Sequence, residues 1–349
     1  MYQLHQAPGR TVRTNGKEYL FFSGYSYLGM GHVTEFTELA KEGINKYGLL
    51  YPSSRVSNTR LELYSTFENI LSKLAGTEET VTFSSGYLAG RAIADLVTTH
   101  NKQVFTAPNT HPAIQCGIQL PNGDWKNQLV KTINQSTLNS FVLCMDGVSP
   151  LTATVANFSF LYELNADKHL TCIIDDSHGI GLLGPIGNGI SHLLPQLFNV
   201  DFIITYSLSK AFHINGGAIS CSKRIAKLLR QSPYYSGSTA ISPAMVYAFI
   251  EGQALYHRQL KKLQENIDDF IKVINDIGGI YFYPHLPVFV LKEKWDQSLF
   301  DLHHIIISSF AYPDPLGSKV NRVVLNALHT KKDLFKLSCV INQLHNEAV

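Results

Sequence analysis

Chemistry in this chain is most readily read at a lysine, an aspartate pair with a nearby histidine, and a hydroxyl-rich turn. Lys210 stands in "DFIITYSLSKAF", directly behind an apolar run of strand character. A buried ammonium without a partner costs several kcal/mol or gives up its proton, so a lysine at a strand end asks for a chemical reason. Asp175, Asp176 and His178 follow a second such run in "LTCIIDDSHGIGLLG". Open α/β sheets place their ligands at that carboxyl edge of the strands. A third run, "TVTF", passes through Ser84, Ser85 and Gly86 into the helical pattern "YLAGRAIADLV". A turn of small hydroxylic residues at a helix N-terminus is an anion cradle.

Two cofactor classes compete for these residues. Gly179, Gly181 and Gly184 spell G-x-G-x-x-G, which suggests a dinucleotide turn and keeps a nicotinamide dehydrogenase as a distant alternative. That fingerprint requires a helix beginning at the glycines and an acid closing the next strand. Here Pro185, Gly187 and Gly189 interrupt any helix, and the next acid, Asp201, is expected ahead of its strand. Pyridoxal phosphate fits the set better. Its aldehyde needs a lysine, its ring nitrogen a carboxylate and its phosphate a group of amide and hydroxyl donors.

The elements that must position these groups alternate along the chain. Short apolar runs at "QVFTA", "SFVLCMD", "LTCIID", "DFIITYS" and "GAISC" are separated mostly by helical or glycine-rich pieces, which predicts a largely parallel sheet covered on both faces. Asn58 is the expected cap of a helix carrying Leu61, Phe67, Leu71 and Leu74 and ending at Gly76. A long helical segment follows Pro243 and runs to Asp276, and strands "PVFVL" and "NRVVLNA" with helix "KKDLFKLSCVINQLHN" predict a smaller α+β lobe. The chain has 349 residues, 45% of them hydrophobic, enough for a large core and two lobes. Its 29 Lys and Arg against 27 Asp and Glu leave no basic stripe for nucleic acid. The N-terminus lacks an apolar signal region and no stretch is long enough to span a bilayer, so a cytoplasmic protein is expected. The five cysteines are scattered without any C-x-x-C pair, which predicts small core residues and neither a disulfide framework nor a metal site.

Six motifs in order extend these observations over nearly the whole chain: "YSYLGM" at 25–30, "SSGYLAG" at 84–90, "DDSHGIGLLGPIGNG" at 175–189, "SLSKAF" at 207–212, "SGSTAISP" at 236–243 and "RVVLNALHT" at 322–330. Together they resemble the α-oxoamine synthase family of fold type I pyridoxal-phosphate enzymes. The resemblance implies an α/β, aminotransferase-like fold, with a large domain of mostly parallel sheet covered by helices and a smaller α+β domain. The implied divisions are an N-terminal segment 1–45 joining the small domain, a cofactor-binding domain 46–245, and a linking helix with the small domain at 246–349. The resemblance further implies that Lys210 carries the cofactor, Asp175 pairs with its ring nitrogen, and His178 lies near its phenolic oxygen. It places His111, in "NTHPAI", against the ring. Ser85, Gly86, Tyr87 and Ser207 would bind the phosphate, joined by Thr239 from a partner subunit, so a homodimer with shared sites is implied. Arg322 would hold a substrate carboxylate, with Ser26 on the substrate side. Arg55 in "SSRVSNT" matches a family arginine, and a surface ion pair is its alternative; Asp176 is read as solvated or bonded behind Asp175.

Departures concentrate on the substrate side. The family's glycine-rich loop is "GLLYPSSR" here, Ser26 replaces an asparagine, and Asp146 in "MDGVSPLTATVA" replaces a glutamate. The implied reaction is condensation of a small amino acid with an acyl-CoA, with decarboxylation. An aminotransferase or racemase-like enzyme on the same scaffold and a catalytically inactive binding protein stay open as alternatives.

Overall fold

Strand Ser140–Asp146 (SFVLCMD) is buried over almost its whole length, and a run without an alternating polar face belongs inside a sheet covered on both sides. In the computed structural model, which describes residues 2–98, 103–274, 277–312 and 314–347, it lies inside a seven-stranded sheet. The order is Glu79–Phe83, Gly217–Cys221, Val200–Ser207, His169–Asp175, Ser140–Asp146, Gln103–Thr106 and Ile118–Gln119. All neighbours pair parallel except Gly217–Cys221, which is antiparallel to both of its own. The register sets Asp146 opposite Asp175 and Asp175 opposite Thr205, so the strands end together at one edge. Asp201 lies within strand Val200–Ser207 and not ahead of it, because pairing with Thr171 begins the ladder earlier than the apolar run.

This sheet belongs to a unit formed by residues 38–148 and 155–253. Its apolar interior includes Val81, Phe83, Ile93, Val142, Ile173 and Ile219. Helix Glu62–Ala75 starts after Leu61 and not at Asn58, since hydrogen bonds from Ser57 Oγ and Tyr51 to the Thr59 carbonyl hold residues 57–59 in a turn of their own. Gly76 closes that helix in the left-handed region. The long segment after Pro243 is two helices, Pro243–Glu251 and Gln253–Ile274, parted at Gly252, whose ψ of 9° leaves the helical range; residues 275 and 276 of the expected helix lie outside the described residues.

A second unit comprises residues 1–37, 149–154 and 254–349. Its six-stranded sheet runs Thr11–Thr14, Lys17–Phe22, Ile305–Ala311, Lys319–Val324, Val288–Leu291 and Ile280–Phe282. Only Lys17–Phe22 and Ile305–Ala311 pair parallel. The closing helix Lys331–Asn346 is fixed at its start by a reciprocal cap between Thr330 and Asp333. Cys144, Cys172 and Cys221 are core residues as expected, but Cys116 is half-buried and Cys339 exposed. Cys339 faces solvent because Leu337, Ser338, Val340 and Ile341 take the buried positions around it. Among the described residues no helix is long and apolar enough to cross a membrane, and no cluster of three His, Cys, Asp or Glu could hold a metal.

The two ends of the glycine-rich stretch 179–189 are explained by Asp176. Its side chain is fully buried rather than solvated, and its Oδ2 accepts the Ile190 amide at 2.8 Å. A Cβ on Gly179 would stand 2.0 Å from Oδ1, and one on Gly189 1.9 Å from Oδ2. Gly179 and Gly189 therefore make room for a carboxyl group, and the stretch leads into the short 3-10 turn Gly189–Leu193 rather than the α-helix that a dinucleotide turn requires. Burial raises the Asp176 pKa well above the usual carboxyl range. Gly189 adds a φ of +66°, whereas Gly123, at +97°, meets nothing within 4 Å. Gly189→Ala should destabilise the protein by about 3 kcal/mol or more, and Gly123→Ala by about 1–2 kcal/mol from backbone strain alone. Urea titration of both variants checks this, and equal losses would contradict the steric account.

Candidate active site

Lys210 lies in the turn just past strand Val200–Ser207 and is half-buried. The turn is held by the Leu208 amide on the Gly216 carbonyl at 2.9 Å, and by the Ser209 amide on Ser207 Oγ at 3.3 Å. Burial lowers the Lys210 pKa, while Asp175, Asp146 and Asp176 pull the other way. The consequence is an amine closer to its neutral, nucleophilic form than a surface lysine.

Asp175 ends the neighbouring strand. Its Oδ1 accepts the Ser177 amide at 2.9 Å, and its Oδ2 lies 3.8 Å from His111 Nδ1. That nitrogen accepts the Ala113 amide at 3.2 Å, so it carries no proton toward Asp175 and the 3.8 Å approach is not a hydrogen bond. Burial depresses the His111 pKa against the pull of Asp175, with Lys210 adding to the depression. The imidazole is therefore neutral, its proton on Nε2. The His111 peptide N–H donates to Asp146 Oδ1 at 2.9 Å. Sequence reasoning gave Asp146 no role beyond a replaced glutamate. The available signal was that "SFVLCMD" ends in an aspartate just as "LTCIID" does.

The anion cradle forms where helix Gly86–Thr98 meets the same edge. Ser85 Oγ accepts the Leu88 amide at 3.1 Å, and helix geometry leaves the first-turn amides of Gly86 and Tyr87 without intrahelical acceptors. The Tyr87 ring itself is exposed. A Cβ on Gly86 would lie 2.7 Å from Ser207 Cβ, and one on Gly217 2.4 Å from the Ser85 carbonyl, so only glycines let these backbones meet. Ser207 donates its amide to Ser177 Oγ at 2.9 Å and pairs its hydroxyl with Ser209 Oγ at 2.8 Å. A cluster of hydroxyls and free amides within one turn of a lysine and a carboxylate fits a phosphorylated carbonyl cofactor.

His178 is half-buried in the turn after Asp175. Thr239 is exposed in the irregular segment after helix Pro233–Gly237, and among the described residues no hydrogen bond joins it to the cluster. Arg55 is no surface pair: half-buried, it pairs with Glu68 at 2.9 Å, donates to Thr82 Oγ1 at 3.0 Å, and lies 4.4 Å from the Tyr64 ring centre. Arg322 and Ser26 belong to the second unit. Ser26 is half-buried in a turn closed by the Gly29 amide on its carbonyl at 3.0 Å. Arg322 is buried on strand Lys319–Val324, with one bond to the Pro150 carbonyl at 3.3 Å and an Nε that has no acceptor. No carboxylate lies within ion-pair reach of it among the described residues, and burial lowers its pKa. His329, closing "RVVLNALHT", is buried with Nδ1 accepting the Asn326 amide at 3.0 Å and Nε2 donating to the Phe21 carbonyl at 3.1 Å.

A family model described as aminotransferase class I and II matches residues 18–338. The chain is 29% identical to 8-amino-7-oxononanoate synthase of Petrotoga mobilis, over 96% of this chain and 91% of that protein. In three dimensions it is similar to a structure described as SPT with PLP, at a TM-score of 0.86 and 17% identity, covering 100% of this chain and 92% of that one. It is also similar to 8-amino-7-oxononanoate synthase from Francisella tularensis, at a TM-score of 0.75 and 20% identity, covering 95% and 99%. The fold is the fold type I, aminotransferase-like arrangement of a mostly parallel sheet with a further α+β unit.

The buried His329 makes a measurable statement about acid stability. Burial pulls its pKa down from the ordinary 6.5 to about 4. Between those values the unfolded chain binds a proton that the folded chain refuses, so stability falls as pH drops through this window. His329→Gln should remove about 2 kcal/mol of the loss between pH 7 and pH 5. Urea midpoints at the two pH values read the difference, and an unchanged acid slope would count against it.

Proposed function

We propose, for a chain that belongs to the aminotransferase class I and II family, a pyridoxal-phosphate-dependent acyltransferase that joins a small amino acid to an acyl-CoA with loss of carbon dioxide. The observation that carries this reading is the gathering of Lys210, Asp175 and His111 at one strand edge, beside the cradle of Ser85, Gly86 and Ser207. Relatives named 8-amino-7-oxononanoate synthase over nearly the full length support the acyl-transfer chemistry. The protein is read as cytoplasmic and as a homodimer in which Thr239 reaches the partner's phosphate site.

Bound at this edge, pyridoxal phosphate supplies an electron sink for a carbanion on the substrate's α-carbon. Asp175 opposes positive charge on the ring nitrogen and so keeps that sink effective. The hydroxyls of Ser85 and Ser207 and the amides of Gly86 and Tyr87 anchor the phosphate. The neutral His111 ring would lie against the cofactor ring without adding charge, and His178 would lie near its phenolic oxygen. Arg322, buried without an acidic partner, receives the substrate carboxylate in a two-bond clasp that a lysine would not reproduce, with Ser26 on the substrate side. Lys210, its amine favoured in the neutral form by burial, holds the cofactor in the resting enzyme, then takes the α-proton at Nζ and returns one after carbon dioxide leaves.

Lys210→Ala should abolish the borohydride-trapped adduct and lower turnover by about 10²–10⁴-fold. An adduct persisting on another lysine would reassign the site. In wild-type enzyme, glycine or alanine with an acyl-CoA should release free thiol and carbon dioxide in equal amounts. Should an amino acid instead leave the cofactor as its amine, with a keto acid restoring the aldehyde, the enzyme is an aminotransferase and the acyl-transfer assignment fails.

A further inference from the structure

We propose that Asp146 is a positioning residue that seats the His111 segment on the carboxyl edge of the sheet through the His111 peptide N–H. It rests on the cofactor reading only for what the His111 ring does. The segment from Ala107 to Ile114 is tied to strand Ser140–Asp146 at three points. The Ala107 amide bonds the Cys144 carbonyl at 2.9 Å, Thr110 Oγ1 reaches the same carbonyl at 3.4 Å, and the His111 amide bonds Asp146 Oδ1 at 2.9 Å. Two of these are backbone carbonyl contacts that any residue at 144 would provide; the third depends on the side chain at 146. The segment also contains Asn109 at a φ of +58°, a conformation few residues adopt unless neighbours hold it. The His111 ring is then set by the Ala113 amide on Nδ1, which leaves Nδ1 3.8 Å from Asp175 Oδ2. Removing the bond at Asp146 therefore frees a residue whose ring faces Asp175.

The setting also decides the form of the acid. Asp146 faces Asp175 from the adjacent strand in the same register, the His111 N–H from the loop above, and Lys210. Burial and the Asp175 charge push its pKa up to about 8, against the opposing His111 bond and Lys210. The shift favours the protonated carboxyl, and in either form Oδ1 is the acceptor of the His111 amide. Asparagine reproduces that acceptor and leucine has the shape without it.

The test compares Asp146→Asn, Asp146→Leu and Asp146→Ala, alone and on a His111→Ala background. Visible circular dichroism of the bound cofactor, kcat and amino-acid KM are read for each. Leucine and alanine should change the dichroic band and lower kcat by about 10²-fold with little change in KM. Asparagine should restore the band and bring kcat within about threefold of wild type, and the double variants should be no worse than His111→Ala alone. An asparagine variant as impaired as leucine, or losses that add to that of His111→Ala, would overturn the proposal. A variant that fails to fold leaves the isosteric asparagine and leucine pair to decide. A readout free of the cofactor separates this proposal from the function assigned above. In cofactor-free protein, the reaction of the His111 ring with diethylpyrocarbonate, mapped by peptide mass, should rise several-fold in Asp146→Leu and stay at wild-type level in Asp146→Asn. That pattern in a protein that binds no pyridoxal phosphate would retire the function and keep the positioning role; equal reactivity in both variants would retire the positioning role.

Discussion

Parallel, in-register pairing of strands Ser140–Asp146, His169–Asp175 and Val200–Ser207 is the constraint on which the site depends. Three runs buried on both faces end at one edge, and each delivers a polar residue where the apolar cover stops. Crowding follows directly. Two carboxyls occupy adjacent strand ends, with an amine and an imidazole facing them, and burial penalises the charged forms of Asp146, Lys210 and His111. The outcome is a division of states. Lys210 and His111 are pushed toward neutrality and Asp146 toward its protonated form.

The backbone around this edge is packed too tightly for side chains. Gly86 and Gly217 bring a helix N-terminus against Ser207 and Ser85, so the amides of the first helical turn stand beside the strand end. Asp176 does the equivalent for the following loop. It turns away from the site into a fully buried position, and Gly179 and Gly189 leave the volume its oxygens occupy. One aspartate of the pair faces the site while its neighbour organises the loop beneath, because consecutive residues at a strand end point to opposite sides.

The second unit applies the same economy of charge. Among the described residues, Arg322 is buried with one hydrogen bond, to the Pro150 carbonyl, and the Phe310 ring 5.2 Å from its guanidinium carbon, which leaves its Nε without an acceptor. His329 is buried as the neutral tautomer, both ring nitrogens engaged by backbone groups and the ring stacked on Phe22 at 4.1 Å. The two residues belong to one stretch of sequence, yet one ends in unsatisfied polarity and the other in complete satisfaction.

What the sequence determined by itself is local. Apolar runs ending in Asp or Ser marked the strands, Ser85 and Gly86 marked the helix start, and the breaks at Pro185, Gly187 and Gly189 excluded a dinucleotide turn, because periodicity and turn chemistry act over a few residues. The tertiary structure alone decided the remainder. Asn58 gave up its cap to a turn closed by Tyr51, and Gly252 parted a pattern that reads as one helix. Arg55 turned inward onto Glu68, thirteen positions along the chain, and into a cage of tyrosines. Asp146 became the partner of His111, thirty-five positions away, through strand register. Register and burial are set by pairings between distant segments, and no window of neighbouring residues contains the atoms that impose them.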